Sequence, residues 1–395
     1  MTELFDAVVV GGGPAGATAA SDLAALGRQV ALLDRDGRVK PCGGAVPPQL
    51  LLDFDVPRSL LVNTVNAARM VSPRGRAVEM PVGEGFVGMV DRDVFDEWLR
   101  ARATQRGAVR VTGRFSHVER HGDGTVSVHY AAGRGREGAA STLRARTVIG
   151  ADGALSAVAR QEVPGAEGMM RVFAYHEIVA SPPDSEAFRQ ARCDVFYQGR
   201  LSPDFYAWIF PHGATTSVGT GSLQQGFGMR DAVARLRRET GLDRAETLRR
   251  EGAPIPLQPL ARWDNGRDVV LAGDAAGVVA PASGEGIFYA MTGGREAAHA
   301  VHEMLDRGDA RALGLARRRF MQAHGQVFRM LGLMQRFWYA NDARRERFVA
   351  ICDDPDVQHL TFQGYMHKKL VRAKPMAHLR IFVKNIAHLT GLAAA

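Results

Sequence analysis

The chain has 395 residues, of which 46% are hydrophobic and 23% charged, which is the composition of a folded protein with two domains or one large domain. Three cysteines far apart in sequence argue against a disulfide framework or a metal cluster, so we expect a protein of the reducing cytoplasm. No apolar run is long enough to span a bilayer. We also expect no signal peptide. The formal net charge of +8 suits an anionic membrane or an acidic substrate. It suits nucleic acid least, because the basic residues are not interleaved with aromatic ones in a recognisable nucleic-acid motif.

The start of the chain predicts a strand, a glycine turn, a helix and a second strand. FDAVVV, residues 5–10, is a short apolar run typical of a buried parallel strand. The helix begins at Pro14, has small and apolar residues at helical spacing, and ends at Gly27, a residue suited to a C-cap. QVALLD, residues 29–34, predicts the second strand.

The turn between these strands has the pattern G-x-G-x-x-G, formed by Gly11, Gly13 and Gly16. The first glycine makes a tight turn, the second lets the backbone approach a pyrophosphate, and the third lets the helix pack close to the strand. Asp34 closes the second strand, where its carboxylate can accept hydrogen bonds from a ribose. The segment therefore predicts a dinucleotide site, and its position ahead of a β-rich segment and a late Gly-Asp pair favours FAD over NAD.

A loop with unusual composition follows the second strand. The prolines and glycines of RVKPCGGAVPPQLL, residues 38–51, exclude a helix and an ordinary strand. We expect this loop to pass over a bound flavin, with Gly43 and Gly44 allowing close approach to the flat ring. Cys42 has three interpretations: a small packing residue that positions the loop, a donor of a weak hydrogen bond or proton, or a redox thiol without an evident disulfide partner. Positioning is the preferred interpretation, ahead of proton delivery.

The rest of the chain alternates sheet and helix. A three-stranded meander is expected between residues 110 and 150, and several further strands between 170 and 220. A helix, a buried strand, a long helix and a largely helical region follow. The segments behind these predictions are TVSVHY (125–130), TVIGADG (147–153), RVFAYHEIVA (171–180), FYAWIF (205–210), TTSVGTG (215–221), MRDAVARLRRETG (229–241), DVVLAGDAAG (268–277), GEGIFYAMTGGREAAHAVHEML (284–305) and residues 311–350.

Asp274 stands at the end of the buried strand in DVVLAGDAAG. Its carboxylate could bind the ribitol hydroxyls of a flavin, and the alternative is an aspartate that simply caps a helix. SGEGI, which follows, starts the long helix. The N-terminus of that helix would face the flavin pyrimidine ring and stabilise the negative charge of reduced flavin.

Six segments carry a resemblance to a known family: GGGPAG, KPCGG, DRDVFDEWL, GADGALSAVAR, FYAWIFPHG and GDAAGVVAPASGEGI. Together they resemble the geranylgeranyl reductase family over nearly the whole chain, and FYAWIFP matches the Y-x-W-x-F-P signature of that family. The C-terminal tail and KPCGGAVPP resemble the chlorophyll and bacteriochlorophyll branch of the family rather than the archaeal lipid branch.

The resemblance implies an α/β fold with an α+β insert. Its core is an FAD-binding, Rossmann-like, doubly wound sheet of the flavoprotein hydroxylase type, joined to an antiparallel-sheet substrate domain and a helical C-terminal region. The expected division is residues 1–75, 91–165 and 262–310 for FAD, residues 76–90 and 166–261 for the prenyl substrate, and residues 311–395 for the helical region.

The resemblance also implies FAD as cofactor and NADPH as electron donor, for stepwise saturation of a geranylgeranyl chain toward phytyl. The chain would be carried on a diphosphate or on a (bacterio)chlorophyll ester. The expected cofactor contacts are Gly11, Gly13, Gly16, Asp34, Cys42, Gly43, Ala45, Arg92, Asp274, Gly286 and Ile287, with the backbone of Val118 beside the adenine.

An isolated trisubstituted alkene offers no carbonyl to polarise, so hydride transfer must be accompanied by a proton, with positive charge developing at the tertiary carbon. Such a site should be dry and lined by aromatic rings. Tyr206, Trp208 and Phe210 alternate along one strand and so share a face, which we interpret as the lining of the prenyl pocket. The alternative is that they are core residues of the sheet.

The C-terminal tail is basic. Six lysines and arginines and no acidic residue lie between Gln358 and Ala395, and MAHLRIFVKNIAHLTGL places apolar residues at helical spacing. A basic amphipathic helix can lie on an anionic membrane, which suits a lipid-soluble substrate and predicts peripheral attachment on the cytoplasmic side, with contact to pigment-synthesis proteins. The alternative is a surface helix packed on the body with solvated lysines.

Two other functions remain open. A flavin hydroxylase has the same cofactor layout but adds oxygen to an aromatic or lipid substrate, and polar groups that orient the ring would mark its pocket. A non-catalytic escort protein would hold the prenyl lipid without flavin, and the intact phosphate and ribose motifs argue against it.

Overall fold

The computed structural model describes residues 3–35, 39–83, 85–133 and 138–368. The strands in these residues are β1 (Leu4–Val10), β2 (Val30–Asp34), β3 (Ala45–Val46), β4 (Leu61–Val65), β5 (Ala67–Val71), β6 (Ala77–Pro81), β7 (Val87–Val90), β8 (Val109–Arg120), β9 (Val126–Ala132), β10 (Ala140–Gly150), β11 (Arg171–Ala180), β12 (Arg192–Phe196), β13 (Ala207–His212), β14 (Thr215–Ser222), β15 (Thr247–Pro256) and β16 (Val269–Leu271). The helices are α1 (Pro14–Ala25), α2 (Pro48–Asp53), α3 (Arg92–Gln105), α4 (Ala157–Glu162), α5 (Met229–Glu239), α6 (Ile287–Arg307), α7 (Leu315–Trp338), α8 (Asp342–Ile351) and α9 (Pro355–His367).

The chain divides into two compact units. The first takes its described residues from Met1–Lys40, Arg92–Arg171 and Pro254–Phe328. The second takes its described residues from Pro41–Asp91, Val172–Ala253 and Arg329–Ala395.

The first unit contains a parallel sheet of the Rossmann type. Its strands lie in the order β8, β2, β1, β10 and β16, and β9 pairs antiparallel with the outer parts of β8 and β10 to form the predicted meander. The apolar strand VVV of β1 is buried on both faces, as expected for a parallel strand covered by helices. Helix α6 crosses α1 so closely that a side chain at Gly294 would overlap the Ala15 carbonyl oxygen.

The second unit is built on a seven-stranded sheet in the order β15, β11, β14, β13, β12, β5 and β6. Its neighbours are antiparallel at β11–β14, β14–β13, β13–β12 and β5–β6, and parallel at β12–β5. One face packs against α5, where Ile209 and Val218 meet Val233 and Leu236. The opposite face meets the small sheet of β3, β7 and β4.

The fold class predicted from the sequence is confirmed, while the boundaries of the units differ from the predicted ones. Residues 41–75 were assigned to the FAD-binding segments, yet their described residues belong to the second unit. The reason is the parallel pairing of β5 with β12, which joins residues more than a hundred positions apart. The helical region also divides, because residues 311–328 belong to the first unit and its described part from 329 onward to the second.

The predicted amphipathic segment MAHLRIFVKNIAHLTGL lies outside the described residues. Within the described residues, none of the helices combines the length and the apolar content that crossing a bilayer requires.

Candidate functional site

The glycine turn between β1 and α1 is compact on one side and open on the other. Gly11 has a φ of 105°, and a side chain there would collide with the carbonyl oxygen of Ala151 at the end of β10. A side chain at Gly16 would overlap the carbonyl oxygen of Gly11, so only glycine lets α1 start so close to β1. At Gly13 an added Cβ would meet no atom within 4 Å. The open side is the side of the α1 N-terminus.

Helix α1 begins at Pro14 with Gly13 as its N-cap, and no side chain caps it among the described residues. Its N–H groups and the positive end of its dipole are therefore available to an anion. By contrast, α4, α8 and α9 are capped by Ser156, Asn341 and Asp354. Open space beside an uncapped helix N-terminus is the arrangement that a pyrophosphate requires.

Asp34 lies at the end of β2 against the same turn, where Gly12 would bring an added Cβ within 2.5 Å of its carboxylate. Burial raises the pKa of Asp34, while a hydrogen bond from the Gly12 backbone and the charge of Arg100 act in the opposite direction. Arg100 Nη1 lies 3.2 Å from the Gly12 carbonyl oxygen and 3.5 Å from Asp34 Oδ2. Arg100 thus joins α3 to the turn, and sequence reasoning missed it.

Asp274 lies in the short 3₁₀ turn that follows β16. The N-cap of that turn is Ala272, so Asp274 is not a capping residue, and its buried carboxylate pairs with Lys40. The preceding residue, Gly273, packs on the Cβ of Ala15 in the first turn of α1. The structure therefore brings the Gly-Asp pair next to the glycine turn, as the dinucleotide interpretation requires.

Gly286 is the N-cap of α6, and no side chain of the described residues caps this helix. Ile287, its first residue, is buried. The first N–H groups of α6, like those of α1, therefore have no capping side chain among the described residues and can interact with negative charge.

The GADG turn after β10 is organised by Asp152. Its carboxylate accepts hydrogen bonds from the Ala157 N–H at 2.6 Å, from Val158 N–H at 3.3 Å and from the Ser156 hydroxyl. Burial raises the pKa of Asp152, and these donors offset part of that effect. Its role is to hold the loop that Gly11 packs against.

Two other predicted contacts of the first unit lie in regular structure. Arg92, at the start of α3, forms a buried bidentate ion pair with Asp96, with distances of 2.8 and 2.7 Å. Val118 lies in β8, where it pairs with Val128. This pairing lies beyond the part of β8 that pairs with β2.

In the second unit the loop after residue 40 packs on β13. An added Cβ at Gly43 would lie 3.1 and 3.2 Å from ring carbons of Phe210, and Ala45 packs with Phe210 in one apolar cluster. The sulfur of Cys42 accepts a hydrogen bond from the Gly44 N–H at 3.4 Å, and Cys42 is a free cysteine. The structure therefore brings Gly43, Ala45 and Phe210 together.

His212, at the end of β13, fastens this loop. Its Nε2 lies 3.0 Å from the Gly43 carbonyl oxygen and its Nδ1 lies 3.4 Å from Asp91 Oδ1. Burial lowers the pKa of His212 to about 4, with smaller contributions from His176 and Arg249. The imidazole is therefore neutral at neutral pH, and Nε2–H donates to the Gly43 carbonyl.

The predicted aromatic face exists. Tyr206 and Trp208 have ring centroids 6.0 Å apart, and Trp208 and Phe210 have centroids 6.1 Å apart. Tyr206 and Trp208 are buried, whereas Phe210 is half-buried. The row lies on the face opposite α5, since Ala207 and Ile209 belong to the α5 core.

Two surface depressions have volumes of about 420 and 410 Å³. The first is lined by α6 residues that include Glu296 and His299, and the second by Tyr175 and residues 227–231. No residue predicted for the cofactor or the substrate lines either one in the described part of the chain.

Sequence reasoning also missed His212, Lys40 and the polar partners of Trp208. His212 had a readable signal, since it follows Phe210 by two positions in FYAWIFPHG and so shares its face. Arg100 had one too, because Arg92, Asp96 and Arg100 recur every four residues on α3.

Comparison with known proteins agrees with this geometry. Residues 63–319 match the FAD binding domain family, and residues 9–48 match an NAD(P)-binding Rossmann-like domain. A crystal structure of a geranylgeranyl bacteriochlorophyll reductase-like protein from Thermoplasma acidophilum superimposes with a TM-score of 0.83 at 22% identity, covering 99% of both chains, and shows the shared fold. The fold and the match to the FAD binding domain family therefore define a flavoprotein that binds FAD.

Closer relatives give the particular family. The chain is 55% identical to the geranylgeranyl diphosphate reductase of Rhodobacter capsulatus, over 98% of both chains. It is 33% identical to the enzyme of the same name from Synechocystis, over 96% of this chain and 97% of that one. The chain belongs to the geranylgeranyl diphosphate reductase family.

Proposed function

We propose that this protein uses FAD and NADPH to reduce isolated carbon–carbon double bonds of a geranylgeranyl chain, step by step, toward phytyl. The observation that carries the proposal is the 55% identity over 98% of the chain to a geranylgeranyl diphosphate reductase. The glycine turn between β1 and α1, with the uncapped start of α1, supports the proposal that FAD is bound. The row of aromatic rings Tyr206, Trp208 and Phe210 supports the proposal of a prenyl substrate.

The cofactor fits the residues of the first unit. The open side of Gly13 and the α1 N-terminus would hold the pyrophosphate, Asp34 the ribose and Asp274 the ribitol. When bound, FAD supplies the hydride that it receives from NADPH. The uncapped start of α6 at Gly286 would stabilise negative charge on the ring.

Further cofactor contacts are proposed on the family motifs alone. They are Cys42, Gly43, Ala45, Arg92, Val118 and Ile287.

Tyr206, Trp208 and Phe210 would line the prenyl pocket. Aromatic faces attract a developing cation, and they exclude water without offering a base that would intercept it. Cys42 would position the loop that packs on Phe210 or supply the proton that balances the hydride.

Most of the binding energy for the substrate would come from burial of its prenyl chain. At about 0.8 kcal/mol for each buried methylene-sized group, burial of a C20 prenyl group contributes on the order of 10 kcal/mol of hydrophobic free energy, before the entropic cost of binding is subtracted. The head group can therefore be a free diphosphate or a (bacterio)chlorophyll ester. We also propose that the basic segment between Gln358 and Ala395 attaches the protein to an anionic membrane surface, near pigment-synthesis proteins.

The test supplies purified protein with NADPH and, separately, geranylgeranyl diphosphate and geranylgeranylated bacteriochlorophyll. We expect a yellow protein with flavin absorbance at about 450 nm, and products that gain two hydrogens at each step. A product that gains one oxygen would indicate a hydroxylase, and a colourless protein that binds the lipid unchanged would indicate an escort.

A pair of tryptophan variants tests the pocket. Trp208→Ala should lower the rate at which the prenyl chain is reduced by about tenfold or more, because it removes a ring that would stabilise the developing cation. Trp98→Ala is the matched control, since Trp98 lies on α3 and stacks with Arg102, with 4.6 Å between the guanidinium carbon and the ring centroid. Unchanged saturation in Trp208→Ala would remove the aromatic row from the substrate site.

A further inference from the structure

Trp208 is the first member of a chain of polar contacts that crosses four strands of the second unit, β13, β14, β11 and β15. Its Nε1 lies 3.0 Å from Ser217 Oγ, and Ser217 Oγ lies 2.9 Å from His176 Nδ1. His176 Nε2 lies 3.2 Å from Glu251 Oε2. Trp208, Ser217 and His176 are only 6%, 1% and 3% exposed, so water does not compete for these groups.

The chemistry of these groups fixes the direction of the contacts. An indole N–H can only donate, so the Ser217 oxygen accepts from Trp208. The Glu251 carboxylate, 3.2 Å from Nε2, favours the His176 tautomer with its proton on Nε2, and Nδ1 then accepts the Ser217 hydroxyl hydrogen. The last contact is an electrostatic one, since its angles fall short of a hydrogen bond. The His176 contact lowers the pKa of Glu251, which keeps Glu251 anionic at neutral pH.

The sheet register explains why the two rings meet. Trp208 on β13 and His176 on β11 both pair with Gly219 of the intervening β14. A side chain at Gly219 would collide with both residues, and its absence lets the rings approach to a centroid distance of 6.3 Å. Glycine at this position is therefore what allows Ser217 to contact both rings.

We propose that Ser217, His176 and Glu251 are positioning residues that hold the Trp208 indole in one orientation for the prenyl chain. This inference rests on the proposed function of the aromatic row. A ring that only packed in the core would need one acceptor for its N–H, and apolar neighbours would satisfy the rest. Here the acceptor Ser217 also contacts His176, and His176 faces the Glu251 carboxylate. Rotation of the indole would therefore break its buried hydrogen bond to an oxygen that is itself held in place.

The experiment compares Ser217→Ala with wild type by two measurements. The first is hydrogen exchange of the Trp208 indole N–H, observed by nitrogen-15 NMR and assigned with Trp208→Phe. We expect exchange at least about tenfold faster, because the acceptor is lost. The second is kcat/KM for geranylgeranyl diphosphate, which should fall about tenfold, equivalent to about 1.4 kcal/mol, while flavin content and the rate of flavin reduction by NADPH stay unchanged.

Three further variants sharpen the result. Ser217→Thr keeps the hydroxyl and should restore both readouts to within about threefold of wild type. Glu251→Gln alters a partly exposed residue that leaves the core intact, and it should change both readouts in the same direction by about threefold. Thr216→Val is the matched control, since it deletes the buried hydroxyl that contacts Ser181 at 2.7 Å on the other face of β14.

The proposal is overturned if the Trp208 N–H exchanges at the wild-type rate in Ser217→Ala, or if Thr216→Val lowers kcat/KM as much as Ser217→Ala does. The exchange measurement needs no substrate. It therefore tests whether Ser217 fixes the Trp208 indole even where wild-type protein saturates no prenyl chain, a result that would overturn the proposed function by itself.

Discussion

At Gly13 a methyl group would meet no atom within 4 Å, whereas at Gly16 it would overlap the carbonyl oxygen of Gly11. The structure agrees with the roles expected from the motif, since Gly13 leaves space for a ligand and Gly16 allows close packing of α1 on β1. Gly13 has a φ of −75°, which any residue adopts, so the need for glycine there arises from the ligand. Single substitutions can therefore separate the two roles.

Gly16→Ala should destabilise the FAD-free protein by about 1–3 kcal/mol, because the added methyl group has to displace the turn. Gly13→Ala should leave the stability of the FAD-free protein within about 0.5 kcal/mol and weaken FAD binding at least about tenfold, because its methyl group fills the pyrophosphate space. Urea unfolding without FAD and titration with FAD give the two quantities. Equal losses of stability in both variants would contradict this division of roles.

At the scale of elements, β13 and the loop between residues 41 and 46 are held together by one neutral histidine. His212 is buried at the strand end and bonds to the Gly43 carbonyl oxygen. Its pKa in the fold is about 4, whereas an unfolded histidine titrates near about 6.5. At a pH between these two pKa values, His212 therefore carries a proton in the unfolded chain and none in the folded chain.

We expect the free energy of unfolding to fall as the pH drops from about 6.5 to about 4, with His212 contributing up to about 3 kcal/mol of the loss. Above pH of about 6.5 the histidine is neutral in both states and contributes no pH dependence. Urea unfolding of wild type and His212→Gln over this range measures the difference, and His117→Gln, on the exposed surface of β8, is the control. Parallel curves for wild type and His212→Gln would rule out this account.

At the scale of the whole molecule, charge is distributed unevenly along the chain. The net charge is +8, and the last 38 residues contribute six basic side chains and no acidic one. A basic segment of this composition gains about 1 kcal/mol for each lysine or arginine that approaches an anionic bilayer, and salt screens the gain. The geranylgeranyl chain of the proposed substrate is lipid-soluble, so the proposed attachment would bring the protein to the phase in which that chain resides.

The protein should sediment with vesicles that contain anionic lipid, and its binding should weaken steeply with salt and be absent on neutral vesicles. Replacing Lys374 and Lys384 with Gln should weaken binding by about tenfold or more. Replacing Arg235 and Arg238 with Gln, which removes the same charge from the exposed side of α5, should leave binding unchanged. If both double variants weaken vesicle binding equally, the net charge of the protein and not its C-terminal segment accounts for the binding.

Much of the cofactor half was predictable because its signals are local. The strand, the glycine turn and the helix follow one another within the first 25 residues, and Asp34 comes directly at the end of the next strand. Arg100 and Lys40 were not predicted, since each meets its acidic partner only after distant segments fold together. Charge alone does not distinguish Arg100 from the many other arginines of this chain.

The sequence by itself determined the class of fold, FAD as the cofactor and the family, since these depend on short motifs whose spacing is set by backbone geometry. It also placed Tyr206, Trp208 and Phe210 on one face, because side chains alternate along a strand. Only the tertiary structure decided what those rings contact. The packing of Gly43 on Phe210 and the line from Trp208 to Glu251 depend on strand order and register, which hydrophobic periodicity does not specify.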